Sequence, residues 1–152
     1  MQIYTTYKVK IKHYNHIFKD TVSIYRKAVN FLIEVCLSEW GTVEELNANQ
    51  RINHLEHLTH GTKDNPNPKY DFDSKFYKMP SYLRRGAISE AVGKVSSYRS
   101  NLANWKLNPD GKEPSMPNAG FIYPSMYRTV MYNQTGEYEA QIKVYVRNTW
   151  DW

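Results

Sequence analysis

Apolar and polar residues alternate at the start of the chain. Ile3, Thr5, Tyr7, Val9 and Ile11 fall on one side, and Tyr4, Thr6, Lys8, Lys10 and Lys12 on the other. A period of two predicts a half-buried β-strand over 3–12 whose outer face ends in three lysines. The period then lengthens. Phe18, Val22, Tyr25, Val29, Leu32 and Cys36 recur at steps of four and three, one stripe of a helix over about 16–39. Asn15 is placed to cap it, and Trp40-Gly41 to end it. Thr42-Val43-Glu44-Glu45 has the form of a capping box and predicts a second helix from Thr42 to about Leu58. Gly61, Pro66 and Pro68 predict a loop over 59–78, in which Tyr70, Phe72, Phe76 and Tyr77 are expected to pack down.

A third helix is predicted from Pro80-Ser81 to Leu107, stopped before Asn108-Pro109-Asp110-Gly111. Leu83, Ala87, Ala91, Val95, Tyr98, Leu102 and Trp105 make its apolar stripe. At about 100° per residue, Gly86, Ser89, Gly93, Ser96, Ser97 and Ser100 gather on the opposite side, flanked by Arg85 and Arg99. Two interior glycines cost about 1 kcal/mol each relative to alanine. A side this smooth lets another backbone approach, either a phosphodiester chain or a second helix. Prolines 109, 114, 117 and 124 mark irregular chain over 108–124. Two strands are predicted at about 126–133 and 138–147, joined by Gln134-Thr135-Gly136-Glu137 as a hairpin turn. Ending on Asn148-Thr149-Trp150-Asp151-Trp152 with no turn signal predicts a chain interrupted within an element.

A lone strand needs partners, so strand 3–12 is expected to pair with the distant hairpin, at 138–147. The fold class that follows is α+β: a small antiparallel sheet or partial β-barrel, formed by one amino-terminal strand and a carboxy-terminal hairpin, interrupted by a three-helix insertion. Residues 1–14 and 120–152 then form the β part, 15–107 the helical insertion and 108–119 the connector of a single module.

Charge changes the picture. The chain has 20 lysines and arginines against 15 acids. Residues 78–106 hold six bases (Lys78, Arg84, Arg85, Lys94, Arg99 and Lys106) against Glu90 alone, which accounts for the whole net charge of +5. A concentrated positive segment is the footprint of a polyanion partner, although charge runs also occur on ordinary solvated helix faces. Thirteen tyrosines suit base stacking and protein interfaces alike.

Candidate catalytic chemistry is sparse. His54, His57 and His60 are spaced by three, which carries the last of them away from the face shared by the first two. Asp64, Asp71 and Asp73 lack the spacing of a calcium loop and read as turn caps. Cys36 lies within an apolar stripe, the place of a core thiol. No catalytic residue, metal site or cofactor is expected. One cysteine, no signal-like start and no long apolar run lead to the expectation of a soluble, cytoplasmic protein without a membrane association.

TYKVKIK followed by a helix, then KMPSYLRRGAISEAVGKVSSYRSNLANW, GKEPSMP and KVYVRNTWDW, resembles the amino-terminal part of OrfB/TnpB proteins. These are encoded by a bacterial insertion-sequence family of transposons and are ancestral to type V CRISPR effectors. The resemblance implies a small β wedge interrupted by a helical recognition lobe. It also implies a role in gripping guide RNA and the double-stranded DNA beside the target. The family's RuvC-like carboxylates and four-cysteine zinc finger are absent from this chain, so the resemblance implies a non-catalytic part of a DNA endonuclease that works with a missing RuvC-like part.

The expected nucleic-acid-binding residues are Ser81, Tyr82, Arg84, Arg85, Lys94 and Arg99 on the third helix. Lys78 beside it and Lys8, Lys10 and Lys12 on the first strand are expected to assist. An arginine here can read guanine bidentately or clamp a phosphate. Two other classes compete: a protein-interaction module using the smooth helix side, and a free-standing DNA-binding adaptor that kept the fold and lost the nuclease.

Overall fold

The computed structural model describes residues 15–127 and 129–152. The strand expected over 3–12, its lysines Lys8, Lys10 and Lys12, and its pairing with 138–147 lie outside the described residues.

Helix α1 spans Ile17–Ser38. Asn15 Oδ1 accepts the Ile17 N–H at 3.1 Å, satisfying one of the orphan donors at the helix start. Its predicted stripe is buried, with Val29, Leu32 and Cys36 fully so, and Ala28, Ile33 and Val35 widen it. The second helix departs from expectation. A short turn, α2, covers Trp40–Val43, and α3 covers Ala48–Thr59. The reciprocal capping box is formed by Asn47 and Gln50, not by Thr42 and Glu45. Local contacts explain the break. The Glu44 carboxylate accepts from the Trp40 indole at 2.9 Å. Arg51 donates to the carbonyls of Val43, Leu46 and Glu44 at 2.8–2.9 Å, so the carbonyls freed between the helices remain satisfied.

The loop after α3 does pack down in part. Phe72 and Phe76 are buried against Phe31, with ring centroids 5.8 and 5.9 Å from it, while Tyr77 stays 55% exposed. Helix α4 covers Ser81–Leu107, as the pattern predicted. It buries Leu83, Ala87, Ala91 and Val95, together with Ile88 and Arg84. Tyr98, Leu102 and Trp105 are only half-buried because α4 outruns its neighbours there. Helix α1 packs against α4, and α3 packs against α4 beside it.

After the helices come two antiparallel two-stranded sheets. Strand β1 (Tyr132–Gln134) pairs with β2 (Ala140–Ile142), and β3 (Val144–Val146) with β4 (Thr149–Asp151). The strand predicted over 126–133 is thus reduced to its end, and the one predicted over 138–147 is divided at Lys143. The tail forms a strand of its own. Arg147 and Asn148 both take positive φ, at 48° and 60°, the two-residue type I′ turn that matches strand twist. Lys143 N–H donates to the Met131 carbonyl at 2.8 Å, linking the two hairpins. Tyr145 N–H donates to Thr21 Oγ1 at 2.9 Å, fastening β3 to α1. The chain is α+β with small antiparallel sheets. Among the described residues, no helix is long and apolar enough to cross a membrane.

Candidate nucleic-acid interface

Helix α4 presents its predicted binding residues unequally. Ser81 and Arg99 are exposed, Lys94 is half-buried, and Tyr82 is 48% exposed. The Tyr82 ring lies 5.2 Å from that of Tyr127, and Lys78 Nζ sits 5.1 Å from the centre of the Tyr77 ring. Sequence reasoning did not include Tyr77 and Tyr127. Tyr127 comes from a segment 45 positions beyond Tyr82, and only the fold brings the two together.

Arg84 does not belong to this surface. It is 7% exposed, and its Nη2 and Nε donate to Glu56 Oε1 at 3.0 and 3.2 Å. Arg85 donates from Nη1 to Glu56 Oε2 at 2.5 Å and from Nη2 to Asn53 at 3.1 Å. Two guanidiniums therefore share one carboxylate from α3. The basic segment is partly neutralised in space by an acid that lies outside it in sequence, and base reading by Arg84 would require breaking a buried pair. Arg85, with its side chain 42% exposed, keeps an outward edge.

The small-residue side of α4 is open. Ser89, Gly93 and Ser97 form one wall of a groove of about 680 Å³, and the Ser115–Asn118 segment forms the other. A Cβ added at Gly93 would meet nothing within 4 Å, so packing within this chain does not require that glycine. Lys94 and Glu90 both line the groove. Beneath it the Tyr25 phenol is pushed up to about 12, chiefly by burial and secondly by Glu90, and therefore acts as a neutral hydroxyl.

A second groove, of about 650 Å³, runs along α1. Lys19, Arg26 and Lys27 line it together with Val22 and Tyr123. Sequence reasoning missed it, although the signal was present: Lys19, Ser23, Arg26 and Asn30 recur at steps of four, three and four. The histidines do not converge. His60 Nδ1 lies 2.9 Å from Asp73, and His57 is exposed. Among the described residues, no three histidine, cysteine or acidic side chains lie together as metal ligands would.

Residues 5–146 match the model of the Aq_aa04 family. An 89-residue stretch is 40% identical to an uncharacterized protein of Aquifex aeolicus (strain VF5), aq_aa04, covering 55% of this chain and 48% of that protein. The chain thus spans about half the length of this relative. No solved structure matches it.

Proposed function

The chain belongs to the Aq_aa04 family, and from the surface of α4 we propose that it is a nucleic-acid-binding piece similar to the amino-terminal part of OrfB/TnpB proteins. In this reading it grips guide RNA and double-stranded DNA in the cytoplasm and leaves cutting to a separate RuvC-like part. The observation that carries the reading is the arrangement on α4. Tyr82, Lys94 and Arg99 border an open glycine–serine face, with Lys78 and Ser81 at its start. A duplex backbone can approach such a face closely, the lysine and arginine can neutralise phosphates, and Tyr82 with Tyr127 can cover a sugar or base edge. The succession of packed helices and then short paired strands agrees with the wedge-and-recognition order that the resemblance implies.

The test is a titration of a structured RNA and a short DNA duplex with wild type, Tyr82→Ala and Arg99→Ala at two salt concentrations. Affinity should fall steeply with salt, and Arg99→Ala should flatten the slope by about one unit. Variants indistinguishable from wild type would remove α4 from the surface. A protein-interaction reading is favoured by one feature: Met116, 59% exposed, lies on the groove wall where a partner helix could cover it. Absence of nucleic-acid binding at low salt would point there.

A further inference from the structure

The polar residues of α1 are in register. Lys19, Ser23, Arg26 and Asn30 fall within a sector of about 60° on a helix turning 100° per residue, and the chain after α4 returns along that stripe. Asn30 Oδ1 accepts the Ala119 N–H at 2.7 Å, and Arg26 Nε donates to the Ile122 carbonyl at 2.9 Å. These two bonds lay Phe121 and Tyr123 against Arg26, whose guanidinium carbon is 5.8 and 5.1 Å from the two ring centres. Both rings stay open to solvent, Phe121 at 88% and Tyr123 at 67% exposure. Lys19 and Lys27 border the adjoining groove, and no carboxylate lines it. Among the described residues neither lysine forms an ion pair.

We propose that this groove binds unpaired nucleotides of a single-stranded polynucleotide. Phe121 and Tyr123 are the stacking faces, and Lys19 and Lys27 hold the flanking phosphates. The proposal rests on the nucleic-acid reading above and assigns a different face to a different strand state. Charge and shape together select the occupant. An acidic peptide would use the lysines but gain little from two exposed rings, and an apolar peptide would leave unpaired ammonium groups at its edge. A nucleotide offers a planar ring and an anion within one unit, the pairing on which stacking platforms depend. Because Arg26 and the Ile122 carbonyl already hold the segment that carries the rings, little ordering is lost on binding.

The experiment uses fluorescence anisotropy with a 12-nucleotide oligo-dT and a 12-base-pair duplex, each titrated with wild type, Phe121→Ala/Tyr123→Ala, Lys19→Gln/Lys27→Gln and Arg99→Ala. The aromatic variant should weaken oligo-dT binding by about 5- to 150-fold, the loss of about 1–3 kcal/mol of stacking per base converted at 1.4 kcal/mol per decade, and leave duplex binding unchanged. The lysine variant should flatten the oligo-dT salt slope by about two units. Arg99→Ala should weaken the duplex and spare the oligo. Since both rings are exposed, an unchanged melting temperature is expected for the aromatic variant. Oligo-dT affinity unaffected by loss of both rings, or an equal loss for duplex and oligo, would overturn the platform. Duplex binding with none to oligo-dT would sink this proposal alone, whereas binding of neither would sink the nucleic-acid reading as well.

Discussion

Glu56 holds two guanidiniums, and its removal should show what the buried one costs. Arg84's side chain is 8% exposed and that of Glu56 20%, so truncating Glu56 to alanine leaves a nearly dry cation whose Nε and Nη2 lose their acceptor. Breaking a buried pair in this way costs about 3–5 kcal/mol. The partial exposure of Glu56 lets water reach the vacated site, which places the expected loss at the lower end, about 3 kcal/mol. For a chain of this length that corresponds to a fall of about 6–12 °C in Tm. Urea unfolding followed by tryptophan fluorescence should show a lower midpoint with an unchanged m-value. Adding Arg84→Leu to Glu56→Ala should recover most of the loss, because the charge that suffered is gone. Arg85→Ala should cost less than about 1 kcal/mol, its side chain being 42% exposed. A Glu56→Ala loss below about 1 kcal/mol, or no recovery in the double variant, would refute the buried pair. If it stands, a binding defect in Arg84→Ala reports on folding and not on contact with nucleic acid.

Two further outcomes follow from titratable groups. Burial, opposed only weakly by Arg51, pushes the Cys36 thiol up to about 12, so at pH 8 only about one molecule in 10⁴ carries a thiolate; alkylation of the native protein should be very slow and become rapid in urea, and prompt native labelling would place Cys36 at the surface. Lys69 Nζ and the Tyr70 hydroxyl both donate to Glu39 Oε1 at 2.5 Å and hold its carboxyl below its ordinary value of 4.5. Folding therefore favours the ionised form: its contribution is complete above about pH 4.5 and drains away as pH falls through the lower folded value. Glu39→Gln should be less stable than wild type near neutrality and converge with it in acid, and a gap that is constant across that range would contradict the sign.

Much of the helical framework could be read from local signals. The stripes of α1 and α4, the side-chain cap at Asn15 and the stop before Asn108 are statements about residues three or four apart, and the structure places both long helices within a residue or two of the predicted ends. Local signals failed where one competed with another. Thr42-Val43-Glu44-Glu45 satisfies the capping-box pattern, yet Glu44 is engaged by Trp40 and Arg51 takes the nearby carbonyls, so Asn47 begins the helix instead. The predicted strand over 138–147 alternates throughout, but Lys143 is drawn to the Met131 carbonyl and the strand divides there.

The candidate surface divides in the same way. Sequence alone determined that α4 is basic, that one side of it is paved with glycine and serine, and that an apolar stripe runs opposite, because each is a matter of composition and helical period. Tertiary structure alone decided which charges are free. Arg84 and Glu56 are 28 positions apart, and the pairing that withdraws Arg84 from the surface exists only because α3 packs beside α4. Likewise, Lys19, Arg26 and Lys27 read along the chain as a solvated helix face. They become a groove with aromatic faces only when residues 95–97 positions further on return to α1, bringing Phe121, Ile122 and Tyr123 to Arg26. Period and propensity act over one or two turns of helix, whereas the Coulomb and stacking contacts that shape a binding surface act across whatever distance in sequence the packed core has closed.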